Sequence, residues 1–221
     1  MCIGKILYDD IYMKNNLIIT IGRQFGSGGR EIGQRLAKLF DIAYYDKELI
    51  QEAAKESGLS SEYFERADET APGSLRNILT MSWATLGNSF GNDGTLSNEN
   101  IFKYQSDVII HLAEDHPSVF VGRCADYILR ENPMCFNVFI HAPLKDRIER
   151  IMKREHISKA EAMELASKKN KCRANYYNYY TDKEWGAASS YDLSIDSSKL
   201  GCEATALYIY EFIQKVQKGN S

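Results

Sequence analysis

The feature that most constrains this chain is a short apolar run followed at once by a crowd of glycines and then by a helix-like repeat. Leu17–Ile21 is apolar and β-branched, and it reads as a buried strand. Gly26, Gly28, Gly29 and Gly33 follow within eight residues, and Ile32, Leu36, Leu39 and Phe40 then recur at helical spacing with charges between them. Strand, glycine loop, helix is an arrangement that cradles phosphate. Glycines let the backbone curl so that successive N–H groups point inward, and the helix adds its positive N-terminal dipole. The cradle is expected at Gly26, Ser27, Gly28, Gly29 and Arg30. A tight turn packed closely for structural reasons is the plainer alternative.

The usual phosphate loop reads G-x-x-x-x-G-K-[ST], and this one departs from it in two alternative registers. With Gly28 as the last motif glycine, Gly29 stands for the lysine and Arg30 for the Ser/Thr. With Gly29 last, Arg30 stands for the lysine and Glu31 for the hydroxyl residue. Both registers lose the first glycine. The second keeps a cation at the phosphates and leaves Glu31 either as a hard-oxygen metal ligand or as a partner for Arg30 or Arg35.

The rest of the chain alternates short strands with helices, the pattern of a parallel sheet covered on both faces. Strands are expected at Ala43–Tyr45, Ser118–Val121, Phe136–Ile140 and Tyr191–Ile195. Helices are expected at Lys47–Glu56, Asn100–Glu114 and Tyr127–Arg130, from Pro143 to about His156, from Ser158 to about Ala174, and at Cys202–Gln217. Ser158 with Glu161 resembles a capping box. Residues 59–105 are less regular, with helices suggested through Arg66 and at Leu75–Leu86, and a polar loop at Gly87–Gly94. Residues 1–16 read as an N-terminal extension, with Met13 an alternative start. No linker splits residues 17–221, so one domain is expected, and 221 residues bury roughly 70% of the unfolded surface.

Charge and cysteine usage narrow the function classes. A net charge of −3 disfavours extended nucleic-acid binding and leaves room for a local basic pocket. Five cysteines without a C-x-x-C pair suit a reduced, cytoplasmic setting. No apolar run reaches membrane-spanning length, and Met1–Asn16 lacks a long apolar stretch, so neither a membrane span nor a secretory signal is expected. The histidines and cysteines have no metal-ligand spacing, so no resident metal site is expected.

Charged residues gather where such a sheet would bind a ligand. Asp46 follows one strand, and Arg123 and Asp126 follow another, at the carboxyl ends that face the crevice of an open α/β sheet. Each is equally readable as a cap or salt-bridge residue. Arg147, Arg150 and Arg154 share one helical face, and Arg150, Arg154 and Arg173 bound a helix–turn–helix of kinase-lid size. Guanidinium suits phosphate, and phosphoryl transfer needs cations around the migrating group. The run Tyr176–Tyr180 has two readings, base stacking and packing, of which packing is the expectation.

Together these segments resemble the cytidylate kinase-like family, a branch of the P-loop nucleoside monophosphate kinases. The resemblance rests on Ile21–Gly33, Tyr44–Asp46, Val121–Asp126, Phe139–Ala142 with Arg147 and Arg150, Lys171–Tyr177 and Tyr191–Leu193, in the family's order over about residues 17–215. It implies a three-layer α/β fold with a five-stranded parallel sheet, a monophosphate-binding insertion at about 47–105 and a helical lid at about 152–186. It also implies ATP and Mg²⁺ as cofactors and phosphoryl transfer to a nucleoside monophosphate such as CMP or dCMP. In that reading the amides of Gly26–Arg30 hold the donor phosphates and Arg30 supplies charge beside them. Asp46, Arg123 and Asp126 position the acceptor, while Arg147, Arg150 and Arg173 neutralise transition-state charge after lid closure. The chain departs from true cytidylate kinases at Gly29-Arg30 (Lys then Ser/Thr there), at Cys124 (Asp there) and at Asn170 (Asp there). Two other readings stand beside this one: a nucleotide-binding regulatory protein with negligible turnover, and a kinase for a small non-nucleotide acceptor.

Overall fold

The computed structural model describes residues 17–47 and 98–219. The expected N-terminal extension, nearly all of the expected insertion and the helices suggested between 48 and 97 lie outside the described residues.

Five strands, β1 (Ile18–Arg23), β2 (Ala43–Tyr45), β3 (Ser118–Val121), β4 (Cys135–His141) and β5 (Leu193–Asp196), form one parallel sheet in the order β2-β3-β1-β4-β5. β1 sits at the centre because its residues are apolar on both sides. Leu17, Ile19 and Ile21 pack on one face with Ile32, Leu36, Ala206, Ile209 and Ile213. Ile18 packs on the other with Val108, Ile109, Phe120, Ala125 and Leu129. Each fully buried aliphatic side chain of this kind contributes about 1.5–3 kcal/mol over its exposed state. The buried hydroxyl of Thr20 donates to Asn137 Oδ1 at 2.7 Å, so the polar atom on the central strand is satisfied by its neighbour β4.

The first face is covered by α1 (Gly29–Phe40) and the final helix α6 (Ser197–Gly219), which is kinked at Gly201. The second is covered by α2 (Asn98–Asp115) and the short α3 (Ala125–Ile128). The remaining pair, α4 (Leu144–Glu155) and α5 (Lys159–Thr181), forms a helical hairpin. Ile148 and Ile151 meet Ala162 and Ala166 there, and Phe25 of the glycine loop packs against the same cluster. The capping box is present: Glu161 N–H donates to Ser158 Oγ at 3.3 Å, and Ser158 N–H donates to Glu161 Oε2 at 2.8 Å. Among the described residues no helix is long and apolar enough to cross a membrane.

Helix boundaries differ from expectation. α6 begins at Ser197 rather than Cys202, its first turn joined to the rest across the kink at Gly201. α5 continues through the tyrosine run to Thr181 rather than stopping near Ala174. Tyr180 stacks on Phe102 of α2 with ring centroids 4.1 Å apart, and Tyr177 is buried, so packing extends a helix that aromatic propensity alone would not favour. The short helix after β3 starts two residues earlier than Tyr127, because Arg123 and Cys124 take positive φ angles of 62° and 56° and turn the chain sharply.

Candidate active site

In this order the chain leaves β1 for the β2 side and later returns on the β4 side, so the ligand crevice of the sheet lies at the carboxyl end of β1. The glycine loop is there. Gly26 and Gly28 both have φ of 82°, and Gly28 caps α1 without any side-chain hydrogen bond. A Cβ on Gly26 would stand 2.7 Å from the carbonyl oxygen of Arg147, and one on Gly28 2.5 Å from Cys202 Sγ. With no side chain capping it, the N-terminus of this 12-residue helix leaves its first amides to bind an anion.

The loop is held from beneath by the residues around it. Gln24 N–H donates to Ile140 O at 3.0 Å, and its side-chain oxygen accepts from Ala142 N–H. Phe25 N–H donates to Asn170 Oδ1 at 2.7 Å. Ser27 is fully buried and its hydroxyl donates to Gln24 O, while Ser197 Oγ donates to Ser27 O at 2.6 Å. Gln24, Asn170 and Ser197 thus shape the loop through contacts that sequence reasoning missed. Only Asn170, which stands where true cytidylate kinases carry Asp, is marked by the sequence.

The predicted arginines divide into two groups. Arg147 and Arg150 belong to the support. Arg147 is 8% exposed and donates to Ala142 O at 2.9 Å and to Phe25 O at 3.5 Å. Arg150 donates to Gly26 O at 3.4 Å and to both the hydroxyl and the carbonyl of Ser197. Backbone carbonyls accept from both guanidiniums, so in this structure the pair braces the loop. Arg173 also has a backbone-carbonyl partner, and what sets it apart is the cluster of cations around it. It donates to Arg23 O at 2.9 Å and lies 5.5 Å from the ring centroid of Phe25, whose ring Arg154 also approaches, at 4.9 Å. Burial, with Arg23, Arg154 and Arg123 nearby, holds the Arg173 pKa well below the usual arginine value. Such a cluster favours an anion among its members.

Arg30 and Asp46, expected on opposite substrates, form one ion pair: Arg30 Nη2 lies 2.7 Å from Asp46 Oδ2. Asp46 is nearly buried and also accepts from the Tyr44 hydroxyl at 3.3 Å. Burial and this carboxylate push the Tyr44 hydroxyl up to about 12. The Glu31 alternatives resolve toward Arg35, whose Nε is 3.0 Å from Glu31 Oε1.

Arg123 sits at the turn after β3, 5.8 Å from the Tyr176 ring centroid, and its carbonyl accepts from buried Gln105. Asp126 accepts from the Tyr177 hydroxyl at 2.6 Å. Burial raises the Asp126 pKa above the ordinary aspartate value, and the Tyr177 bond only partly opposes this. Its ionised form therefore costs the fold stability, a cost that disappears as pH falls through the raised pKa. Asp126→Asn is expected to raise the thermal midpoint at pH 7, with the gap to wild type closing toward pH 4. A gap that is constant across this range would remove the titration as its cause.

The residues do not fit a loop-bound magnesium ion. The hydroxyl that takes it in the usual motif is replaced by Arg30, and the Ser27 hydroxyl is engaged with Gln24 O. Nor do Cys124 and Cys135 suit nucleophilic chemistry, since burial pushes the Cys135 thiol up to about 12 and raises Cys124 further.

Comparison with known proteins identifies the family and the fold. The chain is 27% identical over 188 residues to the cytidylate kinase of Pyrococcus horikoshii, covering 84% of this chain and 82% of the relative. A crystal structure of an uncharacterized protein from Eubacterium ventriosum superposes with a TM-score of 0.68 at 28% identity, over 90% of this chain and 98% of that one. A gluconokinase from Sinorhizobium meliloti, 13% identical with a TM-score of 0.54 over 92% and 95% of the two chains, shares the P-loop kinase fold. The model of the cytidylate kinase-like family matches residues 18–199, and the chain belongs to that family.

Proposed function

We propose that this protein transfers the γ-phosphoryl group of ATP to a nucleoside monophosphate, with CMP or dCMP as the acceptor. The observation that carries the reading is the pairing of an uncapped helix N-terminus at Gly28 with the arginine cluster around Arg173. A site of this charge suits a substrate with several phosphates, and phosphoryl transfer is catalysed chiefly by positioning and charge stabilisation.

In this reading the amides of Gly26–Arg30 hold the donor phosphates. A phosphate oxygen of the acceptor attacks the γ-phosphorus while the bond to the β–γ bridging oxygen breaks, its electron pair leaving with ADP. Arg173 and Arg123 stabilise the equatorial oxygens of the migrating group, and Asp126 contacts the acceptor. Arg30, through its pair with Asp46, ties the loop helix to the end of β2. Residues at about 152–186 serve as the lid, and residues at about 47–105 serve as the acceptor-binding insertion. Magnesium enters as the ATP complex, where it neutralises phosphate charge, and no side chain is assigned to it. The protein works in the cytoplasm and takes nucleotides, not nucleic acid or membrane, as its partners.

The test is ADP release by the purified protein with ATP·Mg²⁺ and a panel of CMP, dCMP, UMP, AMP and GMP. The fastest release is expected with CMP or dCMP. No release above the acceptor-free background with any member would overturn the reading. ATP binding in calorimetry under the same conditions would then favour the regulatory alternative.

A further inference from the structure

The motif arithmetic and the packing meet at one place. α1 starts at Gly29, with Gly28 as its cap, which selects the register with Gly28 as the last motif glycine. In that register the first motif glycine falls at Arg23 and the motif lysine at Gly29. These two positions share a single slot. A Cβ built on Gly29 would lie 2.6 Å from Arg23 Cβ and 2.9 Å from its Cγ. A side chain can leave from position 29 or from position 23, not from both.

Arg23 fills that slot and continues across it. Its guanidinium comes to rest against Gly122, whose φ is 80°; a Cβ at that position would overlap Nη1 and lie 2.9 Å from Cζ. β1 pairs with β3 in register at Ile21 and Val121, so this places the Arg23 head between the phosphate loop and the turn carrying Arg123. The conventional candidate for the replacement cation, Arg30, points instead to Asp46.

We propose that Arg23 is the phosphate-binding cation of this loop, glycine and cation having exchanged places within the motif. The inference rests on the reading of the loop as a donor-phosphate site. From position 23 the cation approaches from the strand side of the loop, and a guanidinium's fork can contact two phosphoryl oxygens together where a lysine offers one point charge. Glycine at 29 and glycine at 122 are required by the same side chain, one for its stem and one for its head.

The experiment is calorimetric binding of inorganic triphosphate and of ATP to the full chain, with thermal midpoints of the ligand-free variants measured in parallel. Arg23→Met keeps the aliphatic stem and removes the charge; it is expected to weaken triphosphate binding about 10–100-fold, the size of a lost charge-assisted contact. Arg23→Lys is expected to recover most of the loss. Gly29→Lys alone forces two side chains into one slot and is expected to weaken binding, whereas Arg23→Gly combined with Gly29→Lys restores the first glycine and the lysine of the usual motif and returns affinity to within about 10-fold of wild type. Lys38→Ala, at the far end of α1, serves as the charge-loss control. The inference is overturned if Arg23→Met binds triphosphate as wild type does, or if the double variant binds no better than Gly29→Lys. Both comparisons use binding alone, so they remain decisive if no monophosphate is phosphorylated. Unchanged Arg23→Met turnover with CMP would remove the inference and leave the kinase reading standing.

Discussion

Gly26→Val is expected to unfold the phosphate loop rather than merely weaken it. At φ of 82° a β-branched residue is strained by about 1–2 kcal/mol. The added Cβ also stands 2.7 Å from a backbone carbonyl, that of Arg147, and 2.9 Å from Ile151 Cδ1. Arg147 and Ile151 belong to the first turns of α4 that support the loop, and neither can move without disturbing the contacts of Ile151 with Ala162 and Ala166. The combined penalty is about 3–5 kcal/mol, a fall in thermal midpoint of about 10 °C for a chain of this size. Nucleotide-induced stabilisation should vanish with it. Differential scanning fluorimetry with and without ATP reads both effects; a midpoint within about 2 °C of wild type would show that the loop relaxes in a way its packing denies.

Arg173→Met has the opposite signature, a large loss of turnover without a loss of stability. Arg173 sits with Arg23, Arg123 and Arg154, and burial and mutual repulsion lower its pKa well below the ordinary value. A base whose folded pKa lies below its unfolded value costs the fold stability wherever both states are protonated, and that cost fades as pH rises through the folded pKa. Methionine removes the repulsion and keeps the stem near Phe25, at the loss of one hydrogen bond to Arg23 O worth about 1 kcal/mol. The ligand-free midpoint should hold or rise. Turnover should fall about 10²–10³-fold, the usual effect of removing one preorganised donor from a transition-state oxyanion. A variant that loses activity and midpoint together would make Arg173 a structural brace like Arg147.

These two outcomes separate the residues that shape the site from those that face its ligand, and sequence alone grouped them together. Arg147, Arg150 and Arg154 lie on one helical face by spacing, which said nothing about the carbonyls beneath the loop that occupy two of them. Asn170 was visible as a departure from the family's aspartate. Its bond to Phe25 N–H gives that amide a physical use, because a neutral carbonyl oxygen can accept from the loop without adding negative charge beside phosphate.

The sequence by itself determined the layered α/β architecture and the location of the cradle. A β-branched run apolar on both sides must be a central strand, and glycines directly before an amphipathic helix leave that helix's amides open. Its local patterns also carried the capping box and four further strands to within two residues. Tertiary structure alone decided which cation meets which anion. Arg23 and Gly29 are six positions apart and share one slot only because the loop folds its two ends together; Arg30 and Asp46 meet only because the loop helix passes the end of β2. Periodicity reports which face of an element is apolar, whereas the pairing of charges depends on where loops of fixed curvature bring distant segments, and that is set by the packed sheet.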